Sequence, residues 1–486
     1  MKLLMSLAIA AGLAGCGVLN TPRNAPLTAG ANAPLVTPLA GDEDGEIYVG
    51  LAFSGGGMRA SAFAHGMLLA MREATASAGD PDGMLSDVRL VTGVSGGSVT
   101  AAYFGLTGPA GVIGYRDRYL IRDAERYMAT SVFNPLTLIN GLSGGANGRA
   151  TFGRFLDETL FHGATFGDLR KRSRVRTWIN ASDVANQTTF LFSPETFDAL
   201  CSDLASYPIS DAVAASAAYP LVFAPITLET HRGKCTYREP DWLTAARYNP
   251  EASGAMKAHA AALESYAGAP DVRYVKLLDG GITDNFGTTG LAVERARAQV
   301  PYAPLTEVEA VRLRRLLFLV ANAGVQKDYS WTQKLRGPGG VQLATSIASS
   351  AMAAASRTGY DAMRLQLDKW QADLVEYRCA LPAATVRRLR GTLAGWECRD
   401  LKFFVGEVSF RALPGPMQDR LDRIPTRLRL DESQVDLAIE AGRRATLDNA
   451  ELNGFLRATN RYGGNPLIAG ARGGISGARR ITPVKN

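Results

Sequence analysis

Gly93-Val94-Ser95-Gly96-Gly97 lies between a strand-like run, Val88-Arg89-Leu90-Val91, and a helix-like run from Ser98 to Phe104. This is G-x-S-x-G in a strand–turn–helix setting, the arrangement of a nucleophile elbow. Small residues two before and two after the serine allow a sharp turn that lifts its hydroxyl clear of the backbone. In a chain with 51 glycines the same letters also fit a plain glycine loop. A nucleophilic serine needs a group to take its proton and donors to hold the oxyanion that forms on the attacked carbonyl. Ser54-Gly55-Gly56-Gly57-Met58-Arg59, after the strand-like Ile47 to Phe53, can supply the donors. Glycines between a strand and a helix N-terminus turn N–H groups inward, where the helix dipole also favours negative charge. Gly55 to Ala60 fits a relaxed G-x-G-x-x-A dinucleotide fingerprint as well, which would suit a nucleotide-dependent oxidoreductase. The serine elbow favours the first reading, because a dinucleotide fold has no use for a second exposed-serine turn. No G-K-[ST] follows either loop, which excludes a P-loop.

The proton acceptor decides between serine chemistries. A Ser-His-Asp triad on an α/β-hydrolase fold needs a histidine late in the chain. The four histidines are His65, His162, His231 and His259, and none follows. His65 sits in the first helix, and His162 follows a phenylalanine in an apolar patch; both read as structural. Asp279 is better supplied. The strand-like Val275-Lys276-Leu277-Leu278 ends in Asp279-Gly280-Gly281, so a carboxylate freed by two glycines stands at a strand end. A free aspartate has a pKa of about 3.9, low for a base, and burial beside apolar walls raises it. Asp-Gly is also a common turn dipeptide.

The elements that must hold these groups alternate. After Ile47–Phe53 a helix repeats apolar residues at Ala60, Phe63, Ala64, Met67, Leu68 and Met71. Further strand candidates are 175–179, 188–192, 275–278, 316–320 and 403–410, with helical stretches between them, among them 330–378 and 432–446. This alternation predicts an α/β sandwich around a mostly parallel central sheet. No composition break marks a second domain. The segment from Gly111 to Leu142, with Phe133, Leu136 and Leu138, is suited either to covering an acyl channel or to plain core.

Taken in order, Gly55-Gly56-Gly57-Met58-Arg59, Gly93-Val94-Ser95-Gly96-Gly97, Ala214-Ala215-Ser216-Ala217-Ala218-Tyr219-Pro220 and Asp279-Gly280-Gly281 make the chain resemble the patatin-like phospholipases. Asn180-Ala181-Ser182-Asp183, Phe223, Pro225 and Asn285 extend the likeness over residues 47–325, and Ile424-Pro425-Thr426-Arg427 continues it weakly. One departure is Ala60, where many members carry glycine. The resemblance implies a three-layer sandwich over 47–325 with a helical and strand elaboration over 326–459. It implies Ser95 as nucleophile and Asp279 as base, with an oxyanion hole built on Gly55, Gly56 and Gly57 and fixed by Arg59. Gly93 and Gly97 form the elbow, and Gly280 and Gly281 complete the aspartate motif. The implied reaction is hydrolysis of a fatty-acyl ester through an acyl-enzyme, without metal or cofactor. An acyltransferase would use the same dyad, and a silent lipid-binding or scaffolding protein would keep only the fold.

Residues 1–15 read as a lipoprotein signal peptide. Lys2 is the charged start and Leu3 to Ala14 the apolar stretch, too short to span a bilayer. It ends in Leu13-Ala14-Gly15-Cys16, a lipobox, so Cys16 is the expected lipidation site. Residues 16–46, rich in Pro, Ala, Asn and Thr, read as a flexible tether, and Asp42-Glu43-Asp44 as its solvated end rather than a calcium site. The expected location is an exported bacterial lipoprotein of the outer membrane, on its periplasmic or surface side. Four further cysteines fit an oxidising compartment. They allow three connectivities, of which the local pairs Cys201–Cys235 and Cys379–Cys398 are favoured. A net charge of +7 is spread out with no basic run interleaved by aromatics, so nucleic acid is not an expected partner; membrane lipid is. Residues 460–486, rich in Gly and Arg, read as a disordered tail.

Overall fold

Alternate residues of two adjacent inner strands face opposite cores, as a sheet covered on both sides requires. In β1 (Ile47–Phe53) Val49, Leu51 and Phe53 join one core while Tyr48 and Ala52 join the other. In β7 (Arg315–Asn322) Leu317, Leu319 and Ala321 point one way and Leu316, Phe318 and Val320 the other. These strands belong to a computed structural model of the chain. It describes residues 19–28, 30–34, 45–128, 145, 147–250, 252–324, 332–333, 335, 337, 339–459 and 462. Cys16, Asp42 to Asp44, residues 463–486 and Phe133, Leu136 and Leu138 lie outside the described residues.

The remaining strands are β2 (Val88–Val94), β3 (Arg176–Asp183), β4 (Thr188–Leu191), β5 (Ile226–Glu229), β6 (Tyr274–Leu278) and β8 (Lys402–Ser409). Together they form one eight-stranded sheet in the order β5-β6-β3-β2-β1-β7-β8, with β4 paired to β3. The five strands from β3 to β8 run parallel; β4 and β6 run antiparallel to β3, and β5 antiparallel to β6. The sheet is therefore mixed with a parallel centre.

Five helices frame the site: α1 (Gly57–Thr75), α2 (Gly96–Thr107), α3 (Ile209–Ser216), α4 (Gly340–Ala380) and α5 (Glu432–Leu447). The first three and α5 share one face of the sheet, while Met363, Leu367, Trp370 and Leu374 of α4 cover the other. The segment beyond residue 325 is part of these same cores. β8 pairs with β7 along eight residues. α5 crosses α1 so closely that a Cβ on Gly66 would lie 2.0 Å from the Ile439 carbonyl oxygen, and one on Gly442 2.1 Å from that of Phe63.

The described N-terminal residues depart from a flexible tether. Three asparagines clamp residues 19–28 and 30–34 to the body. Asn20 donates to the carbonyls of Ala224 and Pro225, both at 3.1 Å. Asn24 donates to Ser202 Oγ and the Glu229 carbonyl and accepts from the Glu229 N–H at 2.9 Å. Asn32 bonds Asp198 and Ser202 and accepts from the Leu204 N–H. Two disulfides are present: Cys201–Cys235 ties two loops, and Cys379–Cys398 ties the end of α4 to the loop before β8. Asn24→Ala strands the Glu229 N–H and C=O, which costs about 2 kcal/mol locally and speeds tryptic cleavage at the adjacent Arg23 by roughly thirtyfold. An unchanged cleavage rate would mean that the asparagine does not hold the strap.

Candidate active site

The strand register brings Ser95 and Asp279 to one row. Val94 pairs with Asn180 across β2–β3, and Leu278 pairs with Ser182 across β3–β6. One step on, Ser95 and Asp279 both stand level with Ala181, on either side of β3. The antiparallel direction of β6 is essential here, because it makes the strand end where β2 ends. A Cβ on Gly280 would lie 2.4 Å from the Asn180 carbonyl oxygen, so only glycine lets the chain leave β6 this close to β3. The Asp279 backbone is held at both ends: its N–H donates to the Ala218 carbonyl at 2.9 Å, and its carbonyl accepts from Ser182 Oγ at 2.8 Å.

Ser95 is the sharp turn between β2 and α2. Its φ of 53° is a conformation that side-chain-bearing residues rarely adopt. Surrounding bonds enforce it. The Ser95 N–H donates to Ser216 Oγ at 2.9 Å, and the Ser95 carbonyl accepts from the N–H and hydroxyl of Ser98 at 3.0 and 2.6 Å. The elbow glycines are needed for close approach: a Cβ on Gly93 would lie 2.5 Å from the Gly97 carbonyl oxygen, and one on Gly97 2.3 Å from that of Phe53.

The glycine loop touches this elbow. A Cβ on Gly96 would lie 2.0 Å from the Gly57 carbonyl oxygen, and one on Gly55 3.3 Å from Ser95 Cβ. The N-termini of α1 and α2 begin at Gly57 and Gly96, so two helix dipoles present their positive ends beside the Ser95 side chain. No hydrogen bond among the described residues uses the Gly56 or Gly57 N–H, which leaves both available to an oxyanion. The Gly55 N–H is given to Asn285 Oδ1 at 3.1 Å. Arg59 staples the loop to residues beyond 320. Its Nε donates to the Ala323 carbonyl at 3.2 Å, Nη1 to the Ile424 carbonyl at 2.5 Å and Nη2 to Thr426 Oγ1 at 3.1 Å. Burial lowers its pKa to about 10, so it stays charged at neutral pH. The Met58 N–H donates to the Arg427 carbonyl at 2.8 Å, making the 424–427 segment the backing of the glycine loop.

Asp279 and Ser95 are almost fully enclosed, at 1% and 7% exposure. Burial raises the Asp279 carboxyl from its ordinary 3.8 to about 6, against the lowering effect of hydrogen bonds from the Gly281 N–H and the Ser95 hydroxyl. The Gly281 bond is 2.9 Å to Oδ1. A buried carboxylate that accepts from the serine hydroxyl is placed to take its proton, and the higher pKa strengthens it as a base. None of the four histidines is hydrogen-bonded to either residue. Burial lowers His65 and His259 to about 4, which keeps them neutral; His231 meets the Asn24 carbonyl at 2.7 Å.

Sequence reasoning missed the first half of α4, which closes the site. A Cβ on Gly281 would lie 2.7 Å from the Met352 methyl group. Asn285 Nδ2 donates to Ser356 Oγ at 2.8 Å, so this one amide links the glycine loop to the helix. The Tyr219 hydroxyl donates to the Thr345 carbonyl at 3.4 Å. Burial raises its phenol pKa, eased by a hydrogen bond with Ser349 and reinforced by the Asp279 charge. Asp284 sets the turn that delivers Asn285, accepting from the N–H groups of Gly287 and Thr289 at 2.8 and 2.7 Å. A cleft of about 680 Å³ beside the Cys201–Cys235 bridge, lined by Leu27, Asp198, Tyr237 and Trp242, shares no residue with this site.

No match is found among curated proteins. Among solved structures, the human GIVD cytosolic phospholipase A2 aligns with 12% identity and a TM-score of 0.38, over 86% of this chain and 60% of that one. VipD from Legionella pneumophila aligns with 13% identity and a TM-score of 0.33, over 91% and 73%. The ExoU-SpcU complex from Pseudomonas aeruginosa gives 16% identity and a TM-score of 0.24, over 94% and 81%. The chain thus spans about 60% of the length of the human enzyme. Residues 51–292, close to half the chain, match the family model for patatin-like phospholipase, and that stretch contains the glycine loop, the elbow and the aspartate motif. By this domain the chain belongs to the patatin-like phospholipase family.

Proposed function

We propose that this protein is an exported, membrane-anchored lipid acyl hydrolase that works through a Ser95–Asp279 dyad. The observation that carries this reading is the row Ser95–Ala181–Asp279, with a buried carboxylate that accepts the serine hydroxyl. Asp279 takes the Ser95 proton as Oγ attacks the ester carbonyl. The oxyanion forms against the Gly56 and Gly57 N–H groups at the N-terminus of α1, with the N-terminus of α2 beside it. The ester C–O bond then breaks, and the proton on Asp279 passes to the leaving alcohol. Water attacks the acyl-Ser95 ester, gives its proton to Asp279, and releases a fatty acid as Ser95 is re-protonated. The net reaction is ester plus water to acid plus alcohol. The lipobox at Cys16 supports the anchored part of the reading, and two disulfides support an oxidising location.

A base of this kind sets the pH profile. It is active only when ionised, so kcat/KM on a soluble p-nitrophenyl ester rises with pH through a limb centred at about 6, the raised Asp279 value. A steady-state profile from pH 4 to 8 checks this. A limb near 4 would show a carboxylate in an ordinary environment, and a limb near 7.5 would point to a different base. Mass spectrometry of lipids released from vesicles by the wild type but not by Ser95→Ala identifies the substrate.

A further inference from the structure

We propose that the outer face of the first half of α4, residues 340–356, is the surface by which the protein docks on a lipid bilayer. The proposal deepens the lipid-hydrolase reading and rests on it. From Gly340 to Ser356 no residue is charged, in a chain where one residue in five is. The helix is nonetheless on the surface. Leu343 and Ile347, four apart and therefore on one face, are 47% and 61% exposed, and Ser350 and Ala354 on the same face are exposed beside them, with Gln342 and Ala353 exposed along its edge. An exposed helical face of a water-soluble domain ordinarily carries charges. Here it offers alkyl groups, hydroxyls and an amide, which enter the headgroup boundary without desolvating an ion.

Two further observations select a bilayer as the occupant. First, the inner side of the same stretch closes the site: Thr345 meets Tyr219, the Met352 methyl lies over Gly281, and Ser356 bonds Asn285. A lipid leaving a bilayer at the outer face arrives next to Ser95. Second, the described chain begins at Leu19, three residues after Cys16, and Asn20 is clamped to Ala224 and Pro225. Those residues follow Tyr219 in the same loop. Four residues of extended chain span at most about 14 Å, so a lipid on Cys16 holds this end of the molecule, and not the opposite one, against the membrane.

The test uses the full-length chain in phosphatidylcholine vesicles with Leu343→Asp/Ile347→Asp, two exposed positions outside the catalytic machinery. The expected result is a fall of about tenfold or more in hydrolysis of vesicle lipid, with hydrolysis of a soluble short-chain ester unchanged. Equal vesicle rates, or loss of both activities, would overturn the proposal. A second readout is independent of catalysis. An environment-sensitive fluorophore on Ile347→Cys in a Ser95→Ala background is expected to shift to the blue with vesicles and to be quenched by spin-labelled lipid. No shift, or a shift that follows protein concentration without vesicles, would overturn it, the latter assigning the face to a second copy of the chain. Failure of the wild type on the soluble ester would instead strike the hydrolase reading and leave the fluorescence result standing.

Discussion

Asp279→Asn lowers ester hydrolysis by about three orders of magnitude, the range general base catalysis contributes. The substitution keeps an oxygen for the Gly281 N–H, and asparagine is nearly the size of aspartate, so the loss is chemical rather than structural. Stability moves the other way. The carboxyl pKa is higher folded than free, so its contribution to stability is fully present below 3.8 and is lost as pH rises through about 6. At pH 7.5 the ionised carboxylate is buried at a cost, and a neutral amide in its place leaves the unfolding midpoint equal or higher. Denaturant titrations at pH 5 and pH 7.5 measure this: the advantage of Asp279→Asn over the wild type grows with pH. A variant that loses activity together with stability at both pH values would make Asp279 a structural residue. The acid limb near pH 6 also disappears from whatever activity remains.

Arg59→Met carries the second large effect, on stability and turnover together. The guanidinium is 3% exposed and satisfies the Ala323 carbonyl, the Ile424 carbonyl and Thr426 Oγ1. Methionine fills much of the volume but leaves at least two buried carbonyls without a donor, at roughly 1–3 kcal/mol each. We expect a loss of about 3–5 kcal/mol, read as a lowered denaturation midpoint. Turnover falls as well, because the 424–427 segment that backs Gly57 and Met58 comes loose and the oxyanion donors lose their aim. Thr426→Val removes only the outermost of the three bonds and is expected to cost about 1 kcal/mol with turnover nearly retained. Equal effects of the two variants would mean that Arg59 does not act by joining the loop to its backing. Lysine is a poor substitute, since a single ammonium cannot serve three acceptors in the plane of a fork.

The parts of the site visible in the amino-acid sequence are those whose constraint is local. The elbow needs small residues within two positions of Ser95, and Asp279 needs glycines directly after it. Strands such as Leu316–Val320 are covered on both faces and read as continuous apolar runs. What the sequence hides is carried by pairings between distant residues. Asn20 and Asn24 each bond partners about 200 positions away, and nothing in a stretch of Pro, Ala, Asn and Thr distinguishes a clamped strap from a tether. The direction of β6 is equally silent in Val275–Leu278, although it decides whether Asp279 reaches the level of Ser95. Arg59 is written as a loop residue, yet its three acceptors lie more than 260 positions on, at Ala323, Ile424 and Thr426. The first half of α4 shows only as an alanine-rich helix. Its lack of charge over an exposed face was the available signal, and it acquires meaning once Met352 and Ser356 are seen against Gly281 and Asn285.

The dyad itself is tested most directly by a fluorophosphonate probe, which reacts only with a serine whose hydroxyl is activated. The labelled residue is identified by peptide mass spectrometry in the wild type, Ser95→Ala and Asp279→Asn. A Ser95–Asp279 dyad predicts labelling of Ser95 in the wild type, none in Ser95→Ala, and labelling slowed by about a hundredfold or more in Asp279→Asn. Labelling of another serine, or of Ser95 at an undiminished rate in Asp279→Asn, would contradict it.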